Sequence, residues 1–185
     1  MEKLLRSGIR WSASSNVVQK ALQVGTILVL TRFLTPSDFG VIATAILLVT
    51  TVNLVKELGM PSTLIQRKSK IEESADCFFV LSCTFAVICY IGIFFLARPM
   101  AQFFRTSEIE AVVQVMGLMV FVESSSVVQR TLAYKHLRFR RTAIVTIVEG
   151  LFTAMVSIVL AFIDYGLWAI VYGLLAGPAV SSLLW

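Results

Sequence analysis

Residues 11–43 read WSASSNVVQKALQVGTILVLTRFLTPSDFGVIA, and this stretch decides the fold of the chain. It predicts an apolar helix, a tight capped turn and the start of a second apolar helix. Polar side chains recur along one face of the first helix at spacings of three and four: Ser12, Asn16, Gln19, Lys20 and Gln23. Because hydrocarbon offers such groups no partner, this polar stripe must face other helices or a watery cavity.

The composition of the whole chain indicates an integral membrane protein. Its residues are 57% hydrophobic and only 15% charged, and the mean hydropathy is +0.85. A soluble fold of 185 residues would have too little polar surface to cover such a core. The net charge of +5 comes from short cationic clusters between apolar runs. This pattern favours an effect on membrane orientation over binding of nucleic acid.

The apolar runs predict an all-α six-helix transmembrane bundle that forms a single lobe over residues 1–185. The expected spans are residues 11–33, 39–58, 77–97, 111–130, 142–163 and 167–185.

Capping and helix-breaking residues predict how several of these helices begin and end. Thr35 suits the N-cap of the second helix, and Asp38 has the spacing of a capping-box acid. Arg98–Pro99 is expected to end the third span, and residues 100–110 to form a short interfacial segment. Gly177–Pro178 predicts a kink in the last span.

The loop cations predict the orientation. If the N-terminus is cytoplasmic, most of them fall on the cytoplasmic side: Lys3, Arg6, Arg10, Arg67, Lys68, Lys70, Lys135, Arg138, Arg140 and Arg141. The opposite side then carries only Arg32, Arg98 and Arg105. The basic, aromatic segment 134–141 (YKHLRFRR) is expected to contact anionic lipid headgroups.

Several ionisable residues lie at or near membrane depth. Lys56 and Arg130 are close to span ends, where they can extend to the interface or pair there. Lys20, Glu123 and Glu149 lie deeper, where a central charge costs about 2.5–3.5 kcal/mol.

Two further helices repeat the polar-face pattern. Glu123 shares a face with Ser126 and Arg130, and Glu149 belongs to a stripe made of Thr142, Thr146, Glu149, Thr153 and Ser157. Three polar faces predict a shared solvated or substrate-filled path. The alternative is internal ion pairing, for example between Lys20 and Glu149, that only holds the bundle together.

The sequence carries no enzyme signature. The only histidine, His136, lies in a basic loop without metal-ligand spacing around it. No phosphate loop or nucleophile elbow is present. We therefore predict a protein that is not an enzyme and that has no catalytic residues, no metal site and no cofactor.

Several short stretches, taken together in their order and spacing, carry a resemblance. They are Ser7–Ser12 (SGIRWS), Arg32–Gly40 (RFLTPSDFG), Glu57–Gly59 (ELG), Leu64–Lys68 (LIQRK), Gln129–Leu132 (QRTL) and Leu137–Phe139 (LRF). With them the chain resembles the polysaccharide exporters of the multidrug/oligosaccharidyl-lipid/polysaccharide flippase superfamily. The nearest likeness is to the colanic-acid and succinoglycan type of lipopolysaccharide flippase.

The resemblance implies a bacterial inner-membrane protein that flips undecaprenyl-pyrophosphate-linked sugar repeats to the periplasmic face. It also implies two six-helix lobes that work by alternating access, of which this chain matches only the first. We therefore expect the second lobe, as a missing part of the protein or as a separate chain, to be its partner.

The resemblance and the charges together give the candidate site residues their expected roles. The substrate-binding candidates in the cavity are Lys20, Asn16, Gln23, Arg130 and Lys56. Glu123 and Glu149 are expected to bind a coupling proton or sodium ion, or to balance Lys20. Two other functions stay open, namely a cation-coupled drug antiporter of the same superfamily and a non-transporting membrane scaffold for polysaccharide assembly.

Overall fold

The structure is a computed structural model that describes residues 2–57, 71–135 and 139–185. Its regular structure over those ranges is entirely helical. Seven helices follow one another: α1 (Glu2–Leu30), α2 (Pro36–Glu57), α3 (Ile71–Phe104), α4 (Glu108–Gly117), α5 (Met119–Lys135), α6 (Phe139–Phe162) and α7 (Leu167–Leu184). The prediction of an all-α membrane protein is confirmed.

Five segments of the described chain are long and apolar enough to cross a membrane: Pro36–Leu54, Phe79–Phe104, Glu108–Val127, Arg140–Phe162 and Leu167–Leu184. They make this a multi-pass membrane protein. The 29 residues of α1 extend over roughly 43 Å. This helix is more polar than the five and is not among them, so the predicted number of six spans is approximate.

The turn between α1 and α2 is fixed by a cap and by buried leucines. The backbone N–H of Thr35 donates to Asp38 Oδ2 over 2.8 Å, and the Thr35 hydroxyl donates to the same oxygen. This is the carboxylate half of the predicted capping box. Leu30 and Leu34 are buried beneath the turn. The chain therefore reverses tightly between the two helices.

The third span does not end at Arg98–Pro99 as predicted, because α3 continues through Pro99 to Phe104. A proline removes one helical hydrogen bond, and membrane helices tolerate that loss. The helix ends where Arg105 takes a left-handed conformation with φ of 54°. There the N–H of Thr106 bonds to the carbonyl of Ala101 over 3.1 Å, as in a Schellman motif. The separate interfacial segment predicted over residues 100–110 is therefore wrong.

The predicted fourth span is interrupted at Leu118, which separates α4 from α5. The break lies where α3 comes close. A Cβ atom added to Gly117 would lie 3.1 Å from Ile93 and 3.2 Å from Tyr90. The Tyr90 ring also meets the Phe121 ring edge to face, with the centroids 5.5 Å apart. Hydrogen bonds between residues three apart carry the chain across Leu118.

The helices pack in two groups, which α7 and a direct contact between α5 and α6 connect. Among the described residues α1 packs against α6 alone, and α6 packs closely against α7. On its other side α7 contacts α2, α4 and α5, and α3 packs against the same three helices. As a result α1 and α2 diverge from their common turn and do not pack side by side.

The close approach of α6 and α7 depends on two glycines one helical turn apart. A Cβ atom at Gly173 would lie 3.0 Å from the carbonyl oxygen of Thr153 and would collide with Ser157. A Cβ atom at Gly177 would lie 3.0 Å from the carbonyl oxygen of Glu149 and would collide with Thr153. Small residues at this spacing let membrane helices approach backbone to backbone.

We expect Gly173→Ala and Gly177→Ala each to destabilise the bundle by about 1–3 kcal/mol, because each methyl group must push two backbones apart. Unfolding of the purified protein by denaturing detergent measures this free energy. Gly92→Ala is the matched control, since nothing lies within 4 Å of a Cβ atom there. Equal stabilities for the three variants would contradict this account of the α6–α7 contact.

Candidate functional site

A cavity of about 420 Å³ lies between α1, α2, α5, α6 and α7. Its volume is in the range of sites that bind small molecules. Apolar side chains form much of its wall, and the polar lining residues are Gln19, Lys20, Gln23, Thr26, Glu123, Glu149, Thr153 and Ser157. The three helices with predicted polar faces thus each contribute polar residues to one cavity.

The contribution of α1 is a cation with an amide beside it. Lys20 and Gln23 are exposed, and Lys20 Nζ donates to Gln23 Oε1 over 3.3 Å. Among the described side chains, no ion pair joins Lys20 to Glu149. The alternative of a Lys20–Glu149 pair that only holds the bundle together therefore has no support in this structure.

The contribution of α5 is a carboxylate held by an amide that the sequence analysis missed. Asn53 of α2 donates from Nδ2 to Glu123 Oε2 over 2.6 Å. The other amide atom, Asn53 Oδ1, is buried and has no hydrogen-bond partner among the described residues. The available signal was a carboxamide inside an apolar helix, which in a membrane indicates a partner on another helix. Asn53 fixes one carboxylate oxygen and leaves Glu123 lining the cavity.

The contribution of α6 comes from the part of its polar stripe around Glu149. Glu149, Thr153 and Ser157 line the cavity, and all three also pack against the glycines of α7. Thr142, at the other end of the stripe, is buried and does not line the cavity. The stripe therefore serves both helix packing and the cavity wall.

Two of the remaining candidate residues lie outside the cavity lining, and the third has no described side chain. Asn16 is exposed on α1 and Arg130 is half-buried on α5, and neither of these described side chains lines the cavity. Lys56 lies in α2, and its side chain is outside the described part of the structure. Residues 58–70 and 136–138, which include His136 and much of the basic loop segments, also lie outside it.

Apolar side chains line the end of the cavity near the α1–α2 turn. Leu30 is 2% exposed, and it lines the cavity together with Phe39. Beside the turn the rings of Phe33 and Phe162 meet edge to face, with their centroids 5.0 Å apart. Away from the turn α1 and α2 diverge, and Lys20 lies on the diverging part of α1.

The cavity lining has a mixed formal charge. The described lining residues include one lysine and two glutamates. Such a lining can bind an anion at Lys20 and a cation at the carboxylates. In the described part of the chain, no group of three His, Cys, Asp or Glu residues comes together as a metal site would require.

Apolar spanning helices around a partly polar cavity define a multi-pass membrane protein whose cavity has the volume of a small-molecule site. Residues 29–185 match the family described as Polysaccharide biosynthesis protein, and the chain belongs to that family. The predicted resemblance to polysaccharide exporters is confirmed.

Two curated relatives match almost the whole chain. It is 25% identical over 182 residues to the succinoglycan biosynthesis transport protein ExoT of Rhizobium meliloti. It is 22% identical over 181 residues to the lipopolysaccharide biosynthesis protein WzxC of Escherichia coli. These alignments cover 98% and 96% of this chain, but only 36% of the length of each relative. No solved structure matches the chain.

We expect Asn53 and Glu123 to be energetically coupled by about 1–2 kcal/mol, because the amide donates to a partly buried carboxylate. A double-mutant cycle of Asn53→Ala and Glu123→Ala, followed by detergent unfolding, measures this coupling. Ser125→Ala is the matched control on α5, because its hydroxyl donates to the backbone of its own helix. Strictly additive effects of Asn53→Ala and Glu123→Ala would rule out the coupling.

Proposed function

We propose that this chain forms one lobe of a transporter that moves lipid-linked oligosaccharide repeats across a bacterial inner membrane during polysaccharide biosynthesis. The observation that carries the proposal is the cavity in which Lys20 and Gln23 share the lining with Glu123 and Glu149. The family membership and the names of both relatives support the polysaccharide role. Transport itself is part of the name of the succinoglycan relative.

The proposed substrate is an oligosaccharide joined through pyrophosphate to undecaprenol. Lys20 attracts the pyrophosphate or an acidic sugar, because its ammonium group lines the cavity and favours an anion. Arg130, which lies outside the cavity lining, and Lys56 are candidate helpers. Glu123 and Glu149 bind a coupling proton or sodium ion, or balance the charge of Lys20. The proposal includes no chemical transformation of the substrate.

The proposed orientation follows from the loop cations, which favour a cytoplasmic N-terminus. The α1–α2 turn then lies on the periplasmic side, where Leu30 and Phe39 line the cavity. Lys20 is ten residues from Leu30 along α1, which corresponds to about 15 Å of depth. In this orientation the cavity would receive its substrate from the cytoplasmic side, where such repeats are assembled.

Alternating access needs a second lobe for this one to move against. The chain spans 36% of the length of each curated relative, so the proposed activity is that of the complete protein. The second lobe, within the same protein or as a separate chain, is one proposed partner. Anionic lipids at the basic segment 134–141 are the other.

We expect Lys20→Ala in the complete protein to reduce polymer export by at least tenfold, because the cavity loses its described cation. Lys20→Arg should keep a substantial part of the activity. Export is measured as extracellular polysaccharide, and membrane insertion by immunoblot of the membrane fraction. Arg98→Ala is the matched control, since Arg98 is exposed on α3 outside the cavity. Normal export by a correctly inserted Lys20→Ala protein would remove Lys20 from the mechanism.

A cation-coupled drug antiporter is a second candidate, favoured by the two glutamates that line the cavity against one lysine. Cells that contain the complete protein and are loaded with ethidium test this possibility. Our proposal predicts no efflux above that of cells without the protein. Efflux that is lost in Glu149→Gln and kept in Glu108→Gln, a change at an exposed site on α4, would favour the antiporter.

A non-transporting scaffold is the third candidate. It predicts that Lys20→Ala leaves polymer assembly intact and that the purified complete protein moves no lipid-linked sugar in proteoliposomes.

A further inference from the structure

A second space of about 500 Å³ lies between α1 and α6, on a different side of α1 from the cavity. We refer to it as the α1 groove. It is lined by Val18, Ala21, Gly25, Val29, Ala154 and Ile158, together with Leu22 and Thr26. Nearly all of these side chains are apolar, so the groove offers a hydrocarbon surface next to a polar cavity.

The contact between α1 and α6 separates the two spaces. Thr26 and Ala154 border both the cavity and the α1 groove. The Thr26 hydroxyl donates to the carbonyl oxygen of Leu22 in its own helix over 2.8 Å. Because this hydroxyl is used within α1, Thr26 offers no free donor to the groove. The two spaces therefore adjoin and yet differ in polarity.

The cavity and the α1 groove are also close to each other around the side of α1 that faces away from α6. Lys20 faces the cavity, and its chain neighbour Ala21 faces the groove. Successive residues of a helix point about 100° apart, which corresponds to about 10 Å along the surface of a helix 10–12 Å wide. The surface between them carries the exposed apolar side chains of Val17, Val24 and Leu28. An anion at Lys20 can thus be joined to a hydrocarbon chain that crosses this surface into the groove.

We infer that the α1 groove binds the polyisoprenyl chain of the lipid-linked substrate while its pyrophosphate lies near Lys20. This inference rests on the proposed function. The groove has room at its centre, because a Cβ atom added to Gly25 would meet nothing within 4 Å. Lys20 lies close to this surface. The pyrophosphate of the substrate carries more negative charge than the single phosphate of an ordinary anionic lipid and is attracted more strongly to Lys20, which favours the substrate's own chain as the occupant.

Filling the groove tests the inference in the complete protein. Gly25→Leu places a large side chain in the groove, and Gly92→Leu adds the same side chain at an open, exposed position on α3. Affinity is measured by native mass spectrometry for three probes: undecaprenyl pyrophosphate, phosphatidylglycerol and inorganic pyrophosphate. We expect Gly25→Leu to weaken binding of undecaprenyl pyrophosphate by at least tenfold, with the other two probes unchanged. Gly92→Leu should bind all three like the wild type.

The other outcomes overturn the inference in distinguishable ways. If Gly25→Leu binds undecaprenyl pyrophosphate normally while Lys20→Ala binds it weakly, the chain lies elsewhere and the proposed function stands. If Gly25→Leu weakens phosphatidylglycerol as much as undecaprenyl pyrophosphate, the groove holds ordinary acyl chains. If the wild-type protein does not bind undecaprenyl pyrophosphate, the proposed function fails and the inference fails with it.

Discussion

The structure depends on one constraint, which is that hydrocarbon cannot satisfy the polar face of α1. Lys20, Gln23 and Gln19 therefore line an internal cavity. Because α1 packs against α6 alone within the described residues, its polar side stays uncovered by other helices. A helix more firmly enclosed would have buried these groups in protein contacts. Because α1 is weakly enclosed, its polar stripe forms part of a cavity wall.

The position of the opposite wall depends on the two glycines of α7. Gly173 and Gly177 let the backbone of α6 approach closely at Glu149 and Thr153. One side of the polar stripe of α6 packs against α7 at this contact. Glu149 also lies on the cavity surface. Polar residues of α6 therefore belong both to the α6–α7 contact and to the cavity wall. Substitutions there will affect both, which is why stability must be measured alongside transport.

The sequence predicted the features that depend on periodicity and missed those that depend on neighbours. Helical spacing placed Lys20, Glu123 and Glu149 on polar faces, and these faces meet in the cavity. Spacing gives the direction of a side chain around its helix axis, but not what lies opposite it. Asn16 and Arg130 have the right direction and lie outside the cavity, and the contact between Asn53 and Glu123 joins residues seventy positions apart. The passage of α3 through Pro99 likewise depends on tertiary context that overrides a local rule.

The chemistry of the proposed substrate fits α1, which lies between a polar cavity and an apolar groove. A lipid-linked oligosaccharide has an anionic linkage, a polar sugar and a long hydrocarbon chain, and none of these parts is stable in the environment that suits the others. On α1 a cation and amides face one space, and valine, alanine and glycine face another. The two glutamates in the cavity lining offset the positive charge of Lys20. They therefore lower the affinity of the cavity for anions. A transporter needs that balance, since a substrate held too firmly on one side of the membrane would not be released on the other.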